Sequence, residues 1–374
     1  MEILSNLLFI FGVNICLKSS VKHSKCKQIM LKVLQIFWDI ETIYFSIGVI
    51  CYSLTLVNQK LYVVHVFDII LFTVLRFVFH YKIKRIASCF EKLELHGIFS
   101  DAHNNKCLYL FITICFSAQA VFNVISITRS FLSKKIMELY KNLFTFYLLD
   151  TPNVSPLFDM SLKFNIFCAV THYNVFPCVI LATCCLSFIG MTKVIRNFNL
   201  KLERSLFNNK TSICFQHIID NLTKMTKILK ELNQELSLIT LLLFGFWTTS
   251  VFYSVSKLII WPDYQDAFSA SISVVEIISY AFQFAAMVIT GTSIEDEIFE
   301  AKHLVLTVSK GEVYDSLLRK SNDIQLLLSG LDNTRQQATI SAWGMFQIKK
   351  NLFLVMLGVI VTYEVLIINF IGRE

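Results

Sequence analysis

Charge is scarce in this 374-residue chain: Asp, Glu, Lys and Arg together make up 16% of it, against about a quarter in soluble domains. So little charge cannot clothe a water-exposed surface, and it excludes a disordered chain as well. Proline and glycine are also few, at 4 and 11, which argues against a loop-rich fold and for long unbroken helices. The net charge of +7 forms no basic domain, because the Lys and Arg residues fall between apolar runs; nucleic acid is not an expected partner. The eleven cysteines include no Cys-x-x-Cys pair and no Cys/His spacing suited to a metal, so neither a disulfide framework nor a metal site is expected. There is no Gly-rich phosphate loop, no His-Glu-x-x-His, and no nucleophile–base motif beside His65 or His172. An enzyme is not indicated, and no cofactor.

What the chain has instead is apolar length. Hydrophobic residues make up 55%, with 34 phenylalanines among them. About 20 consecutive apolar helical residues cross a bilayer, and seven stretches qualify: 36–56, 62–81, 108–128, 164–191, 236–260, 268–294 and 351–370. Backbone groups in lipid must be satisfied within the segment, so each is expected to be a helix. The fold class is therefore all-α, a polytopic protein of seven transmembrane helices. Cytosolic segments of a membrane protein carry the excess of Lys and Arg. With the N-terminus inside, 25 of the 34 lie in cytosolic segments and 6 outside, which places the N-terminus in the cytosol and the C-terminus outside the cell. A multi-pass protein of the plasma membrane follows.

Four segments result: a cytosolic N-terminal segment (1–35), helices one to six (36–294), a cytosolic helical region (295–350) and the last helix (351–374). The apolar stretch 3–17 has Glu2 before it and Lys18, Lys22, Lys25 and Lys27 after it. That is the reverse of a signal peptide, so it is expected to lie in the inner interface. Leu222, Met225, Leu229, Leu232, Leu236 and Ile239 recur at steps of three and four and run into the fifth span. Ile298, Ala301, Leu304 and Val308 continue a stripe after the sixth span; Leu317, Ile324, Leu328 and Leu331 form another before the seventh. These stripes predict cytosolic helical extensions packed either within one chain or between chains. Asp68 and Arg76 are eight residues, about 12 Å, apart on the second helix and need partners from elsewhere. In this orientation Asn153, in Asn-Val-Ser, is the one sequon available for glycosylation outside the cell.

The last helix reads Thr362-Tyr363-Glu364-Val365-Leu366-Ile367-Ile368-Asn369-Phe370, after an approach through Trp343-Gly344-Met345-Phe346. This resembles the signature of insect gustatory receptors: Thr-Tyr, five mainly hydrophobic residues, then Gln-Phe. Asn233 entering the fifth span and Glu300-Ala301 after the sixth add to it. Asn369 stands where the family has Gln, and Glu364 where it has a hydrophobic residue. The resemblance implies a ligand-gated, non-selective cation channel opened by a small organic tastant. It implies four subunits, identical or related, with the seventh helix of each lining one pore in the lipid membrane for permeant cations. It places Thr362, Glu364, Leu366, Asn369 and Phe370 at the pore and gate, where a carboxylate would otherwise cost about 2.5–3.5 kcal/mol in hydrocarbon. It also places the ligand among the outer halves of helices two to six. There the polar and aromatic candidates are His65, Asn123, His172, Tyr173, Trp247, Tyr253, Tyr280 and Gln283, each of which could instead serve as an interhelical hydrogen bond.

Two other functional classes fit less well. A G-protein-coupled receptor needs the opposite topology and an acidic-Arg-Tyr triplet after helix three, where this chain has Thr128-Arg129-Ser130. A secondary transporter favours internal repeats and helices broken by Gly or Pro, whereas Pro177 is the one proline well inside a span.

Overall fold

The computed structural model describes residues 9–13, 25–55, 61–95, 106–132, 137–138, 141, 156–207, 215–260, 267–310 and 321–371. Eight helices carry the architecture: α1 (Lys25–Thr55), α2 (Leu61–Leu95), α3 (Lys106–Leu132), α4 (Pro156–Phe207), α5 (Phe215–Ile260), α6 (Ala267–Lys310), α7 (Ser321–Ala338) and α8 (Leu352–Ile371). Each of the seven apolar stretches lies within one of α1–α6 or α8, save for single residues at the margins. Five helices meet a length and hydropathy criterion for crossing a membrane among the described residues, and residues Leu352–Tyr363 of α8 form a shorter apolar stretch. The molecule is a multi-pass, all-helical membrane protein.

The helices outrun the bilayer. At 1.5 Å per residue, the 52-residue α4 and 46-residue α5 reach about 78 and 69 Å, over twice the hydrocarbon thickness. The surplus extends beyond the apolar spans, and the heptad stripe on α5 explains why its part before residue 236 stays ordered. Leu222, Met225, Leu229, Leu232, Leu236 and Ile239 are all buried, as are Ile298 and Ala301 of α6 and Leu331 of α7, in one continuous core. The stripes therefore pack within the chain: α5 against α7 and α6, α4 against α6, and α2 along α5. Thr226 and Thr334 share a 2.6 Å hydroxyl contact at the α5–α7 crossing. A Cβ on Gly330 would stand 2.9 Å from a Leu222 methyl, so the missing side chain sets how close the two helices come.

One segment departs from the expected helical anchor. Between α7 and α8 the chain makes a hairpin of β1 (Ser341–Ala342) and β2 (Phe346–Gln347), with Ala342 opposite Phe346. Both central turn residues have positive φ, 50° at Trp343 and 74° at Gly344, and the Met345 N–H returns to the Ala342 carbonyl at 2.9 Å. Positive φ at both central positions is the mark of a type I′ turn, with Met345 as a third loop residue before Phe346. Asn233 of α5 supports it from below: its amide donates to the Gln337 and Thr339 carbonyls at 3.1 and 3.0 Å, which the end of α7 would otherwise leave open. The Trp343 N–H bonds Ser237 Oγ at 2.7 Å.

Residues 9–13 also depart from the expected interfacial position. They turn into the bundle. Phe11 is 3% exposed and lies against Trp38, His172 and Phe176, with ring centroids 5.5–5.8 Å away. Trp38 Nε1 donates to the Ile10 carbonyl at 2.8 Å. Gly12 closes the turn at φ +73°, where an added Cβ would meet the Gln35 backbone N at 2.5 Å.

Candidate functional site

α2 carries two buried charges eight residues apart, and each organises a polar layer. In the first, the fully buried Arg76 donates from Nε and Nη2 to Asp39 Oδ1 of α1, at 3.1 and 2.8 Å. Its Nη1 donates to His172 Nε2 of α4 at 2.8 Å. A guanidinium can only donate, so His172 Nε2 accepts and its proton sits on Nδ1, 3.2 Å from Thr42 Oγ1. Phe176 and Phe11 cover the cluster, the guanidinium lying 5.2 Å from the Phe176 ring centre. A buried charge is tolerated only when paired and hydrogen-bonded in this way. His172, a ligand candidate by sequence, is thus engaged by Arg76, Thr42 and Phe11.

About 12 Å along α2, Asp68 forms the second layer and is 1% exposed. It accepts from the Tyr173 hydroxyl of α4, from Thr249 Oγ1 at 2.6 Å, and from Ser250 Oγ at 2.9 and 3.1 Å. Tyr280, 2% exposed, brings its hydroxyl into the field of the Asp68 and Glu276 carboxylates. Glu276 in turn accepts from Ser254 at 2.7 Å and lies 3.9 Å from Lys257 Nζ. Lys257 sits 4.1 Å over the Tyr253 ring, which stacks on His65 at 4.7 Å and 12°.

A third group joins α3 to α5 and α6. Gln119 Oε1 accepts from Ser279 Oγ at 2.7 Å and from Gln283 Nε2 at 3.1 Å; Gln283 Oε1 accepts from Trp247 Nε1 at 3.1 Å. Asn123 donates to Thr171 at 3.2 Å and accepts from Asn174 at 3.3 Å. In this polar belt three buried atoms have no partner among the described residues: His65 Nδ1, Gln119 Nε2 and the Tyr280 hydroxyl.

The sequence candidates therefore fall into five places. Tyr173 and Tyr280 meet near Asp68, His65 pairs with Tyr253, Trp247 pairs with Gln283, and Asn123 bridges α3 and α4. His172 stands in the other layer. Sequence reasoning does not single out Thr249, Ser250 or Ser279. Their signal is faint, since small hydroxyl residues are common in membrane helices, although Ser250 and Ser254 do share a face at i and i+4. Asn153 lies outside the described residues. Glu364, Leu366, Asn369 and Phe370 belong to α8 by backbone, and their side chains lie outside the described part. Thr362 is exposed, its hydroxyl turned back to the Gly358 carbonyl at 2.7 Å. No group of three metal-ligating side chains occurs among the described residues.

The inner end of α6 ties these layers to the last helix. Three consecutive acids each hold a cation from a different element. Glu295 accepts from Arg335 of α7 at 2.9 and 2.5 Å, Asp296 pairs with Lys350 before α8 at 3.0 Å, and Glu297 pairs with Arg196 of α4, whose Nε donates at 2.8 Å. Beyond its base, α8 has little cover. Leu352 is buried and Phe353 touches Phe284 at 5.8 Å, but Leu354, Val355, Leu357, Val359, Val361, Tyr363 and Val365 are exposed, and these positions encircle the helix.

No protein-family model matches the chain, and no curated protein sequence does. Solved structures do. The insect olfactory receptor OR5 from Machilis hrabei superposes with a TM-score of 0.67 and 13% identity, over 98% of this chain and 95% of that one. The same receptor in complex with eugenol gives 0.67 and 14%, over 98% and 96%. A likeness that spans both chains nearly end to end, at so low an identity, is one of architecture: this chain has the fold of that olfactory receptor.

Proposed function

We propose that this protein is a chemoreceptor subunit that works as a ligand-gated, non-selective cation channel, with four copies, alike or related, surrounding one pore. The observation that carries the reading is α8. A helix that is apolar on every side is stable only where lipid or protein covers it, and its own chain leaves it bare above the base. Copies around an axis supply that cover and turn each inward residue into a ring. Rings at Thr362, Glu364, Leu366, Asn369 and Phe370 then form the outer pore and gate, the apolar ones closing it by excluding water and the polar ones lining it when open.

The ligand site is the belt of α2–α6 around Asp68, with His65, Asn123, Tyr173, Trp247, Tyr253, Tyr280 and Gln283 in or beside it. A buried polar atom without a partner costs about 1–3 kcal/mol, so the three unpaired atoms favour a ligand that carries hydrogen-bonding groups. His172 joins this site through the neighbouring Tyr173 and through α2. The junction at Glu295, Asp296 and Glu297 is placed to pass movement of α4, α6 and α7 to the foot of α8. The C-terminal Thr-Tyr…Asn-Phe motif supports a tastant over an airborne odorant; the OR5 likeness supports the odorant, and both share this site. Asn153, outside the cell in this topology, is the glycosylation candidate.

The test is expression in cells with current recording, against panels of sugars, bitter compounds and volatiles. Agonist-evoked cation current that Phe370→Ala alters, at normal surface expression, is the expected outcome. A cytosolic C-terminus by tag accessibility, or purified particles without a central axis of copies, would defeat the channel reading and leave another receptor or a transporter.

A further inference from the structure

The two layers and α8 leave one concave surface without a role. Between the cytosolic parts of α5 and α7 runs an open groove of about 500 Å³. Leu222, Thr226 and Gly330 form its floor, where the close crossing at Gly330 and the Thr226–Thr334 contact hold the helices at a fixed spacing. Thr223, Lys227 and Lys230 rise on the α5 side; Ser329, Asn333 and Gln337 face them from α7.

The chemistry of this lining is one-sided. Among the described residues it presents two ammonium groups, the hydroxyls of Thr223, Thr226 and Ser329 and two carboxamides, beside the apolar Ile219, Leu222 and Leu326, and no carboxylate. Lys224 extends the cationic row one turn further, and none of Lys224, Lys227 and Lys230 lies in an ion pair among the described residues. Of the acids nearby, Glu231 lies in the field of Lys227 but bonds Lys92 at 2.6 Å, and Asp332 pairs with Lys302 at 2.7 Å. Lysine binds phosphate as a mobile point charge, and hydroxyl and amide groups around it supply the hydrogen bonds that a polyol needs. The volume lies in the range of small-ligand sites and is too large for a single inorganic ion. Depth agrees as well. Lys230 is six residues, about 9 Å, inward of Leu236, so the upper end of the groove opens just beneath the headgroup region, which is about 5–7 Å deep on each face.

We infer that the α5–α7 groove binds a small polyol carrying several phosphates, either as a membrane lipid headgroup or free in the cytosol. The inference stands apart from the channel reading, since it concerns binding by the cytosolic helices alone. Two arms separate the sources. In one, labelled inositol 1,4,5-trisphosphate is bound to the full chain in detergent. In the other, the chain is placed in phosphatidylcholine nanodiscs with and without phosphatidylinositol 4,5-bisphosphate, and bound lipid is quantified. Saturable binding in either arm is expected. It should fall about tenfold or more in Lys227→Gln/Lys230→Gln, because each substitution removes a charged hydrogen bond to phosphate. Ser329→Trp, which fills the groove and leaves the charge alone, should abolish it, while Lys193→Gln/Lys201→Gln on α4 should bind as the unaltered chain does. Binding confined to the lipid arm identifies the headgroup. The inference is overturned if neither probe binds, if Lys227→Gln/Lys230→Gln retains affinity, or if the α4 pair weakens binding equally.

Discussion

Replacing Gly12 with alanine should release the N-terminal turn from the bundle. The methyl group would stand 2.5 Å from Gln35 N and 2.6 Å from Gln35 Cα, where ordinary contact begins at 3.4 Å, so the α1 backbone would have to retreat by nearly an ångström. No side-chain rotation relieves an overlap with backbone atoms. The residue would also carry φ near +73°, costing about 1–2 kcal/mol for an L-residue. Release is the cheaper path, and its cost has a ceiling: burial of Phe11 and Val13, about 1.5–3 kcal/mol each, and the Trp38–Ile10 hydrogen bond, about 1 kcal/mol. The loss is therefore expected to stay below about 7 kcal/mol. Because Gly12→Ala and Phe11→Ala remove the same docking, their effects should not add. The assay is thermal unfolding in detergent for both single variants and the double, with maleimide labelling of Val13→Cys followed by peptide mass spectrometry. Val13 is 1% exposed, so the introduced thiol should label slowly in the otherwise unaltered chain and fast when Gly12→Ala is also present. An unchanged unfolding midpoint for Gly12→Ala, or strictly additive losses in the double variant, would refute the reasoning.

Asp68→Asn should keep the fold yet weaken the agonist response by about tenfold, since an amide offers one acceptor oxygen to the hydroxyls of Tyr173, Thr249 and Ser250; a dose–response curve measures it. Arg76→Met should lower the unfolding midpoint, leaving Asp39 and His172 Nε2 unpaired at about 3 kcal/mol or more, and Asp39→Asn in the same chain should recover part of the loss. Glu295→Arg should cost under about 1 kcal/mol of stability, because its partner Arg335 is well exposed. It should nonetheless shift agonist-evoked opening, and Glu295→Arg/Arg335→Glu should restore it. Gly330→Ala should destabilise the α5–α7 crossing by about 1 kcal/mol, read as a lower unfolding midpoint, and Leu222→Ala in the same chain should relieve the overlap.

The crossings were legible because lipid imposes one rule on every span: about twenty apolar residues, helical, with the basic ends inside. The stripe from Leu222 to Ile239 was legible too, since packing of one helix on another leaves a period in the sequence. Its destination was not, because a seam reads alike whether the cover comes from the same chain or from another. Partners of Asp68 and Arg76 stayed hidden for a related reason. Tyr173, Thr249 and Ser250 for Asp68, and Asp39 and His172 for Arg76, lie far away in sequence, and small hydroxyl groups give no period. The inward turn of Phe11 depends on a cleft between α1 and α4 that exists only once the bundle has formed. The Trp343-Gly344 turn left a faint local signal: a glycine inside a region expected to be helical.

The bareness of α8 has a consequence for how the chain is made. Among its described side chains, those that meet the preceding helices lie at the base, Leu352, Phe353 and Met356. Translation stopped after Lys350 should still yield a folded, membrane-inserted body, with the missing rod noticed by no other part of the subunit. Cellular surveillance of misfolding would then pass a truncated product that, on the channel reading proposed above, conducts nothing. On that reading, sequence drift in this rod is restrained by neighbouring subunits and lipid rather than by the chain that bears it.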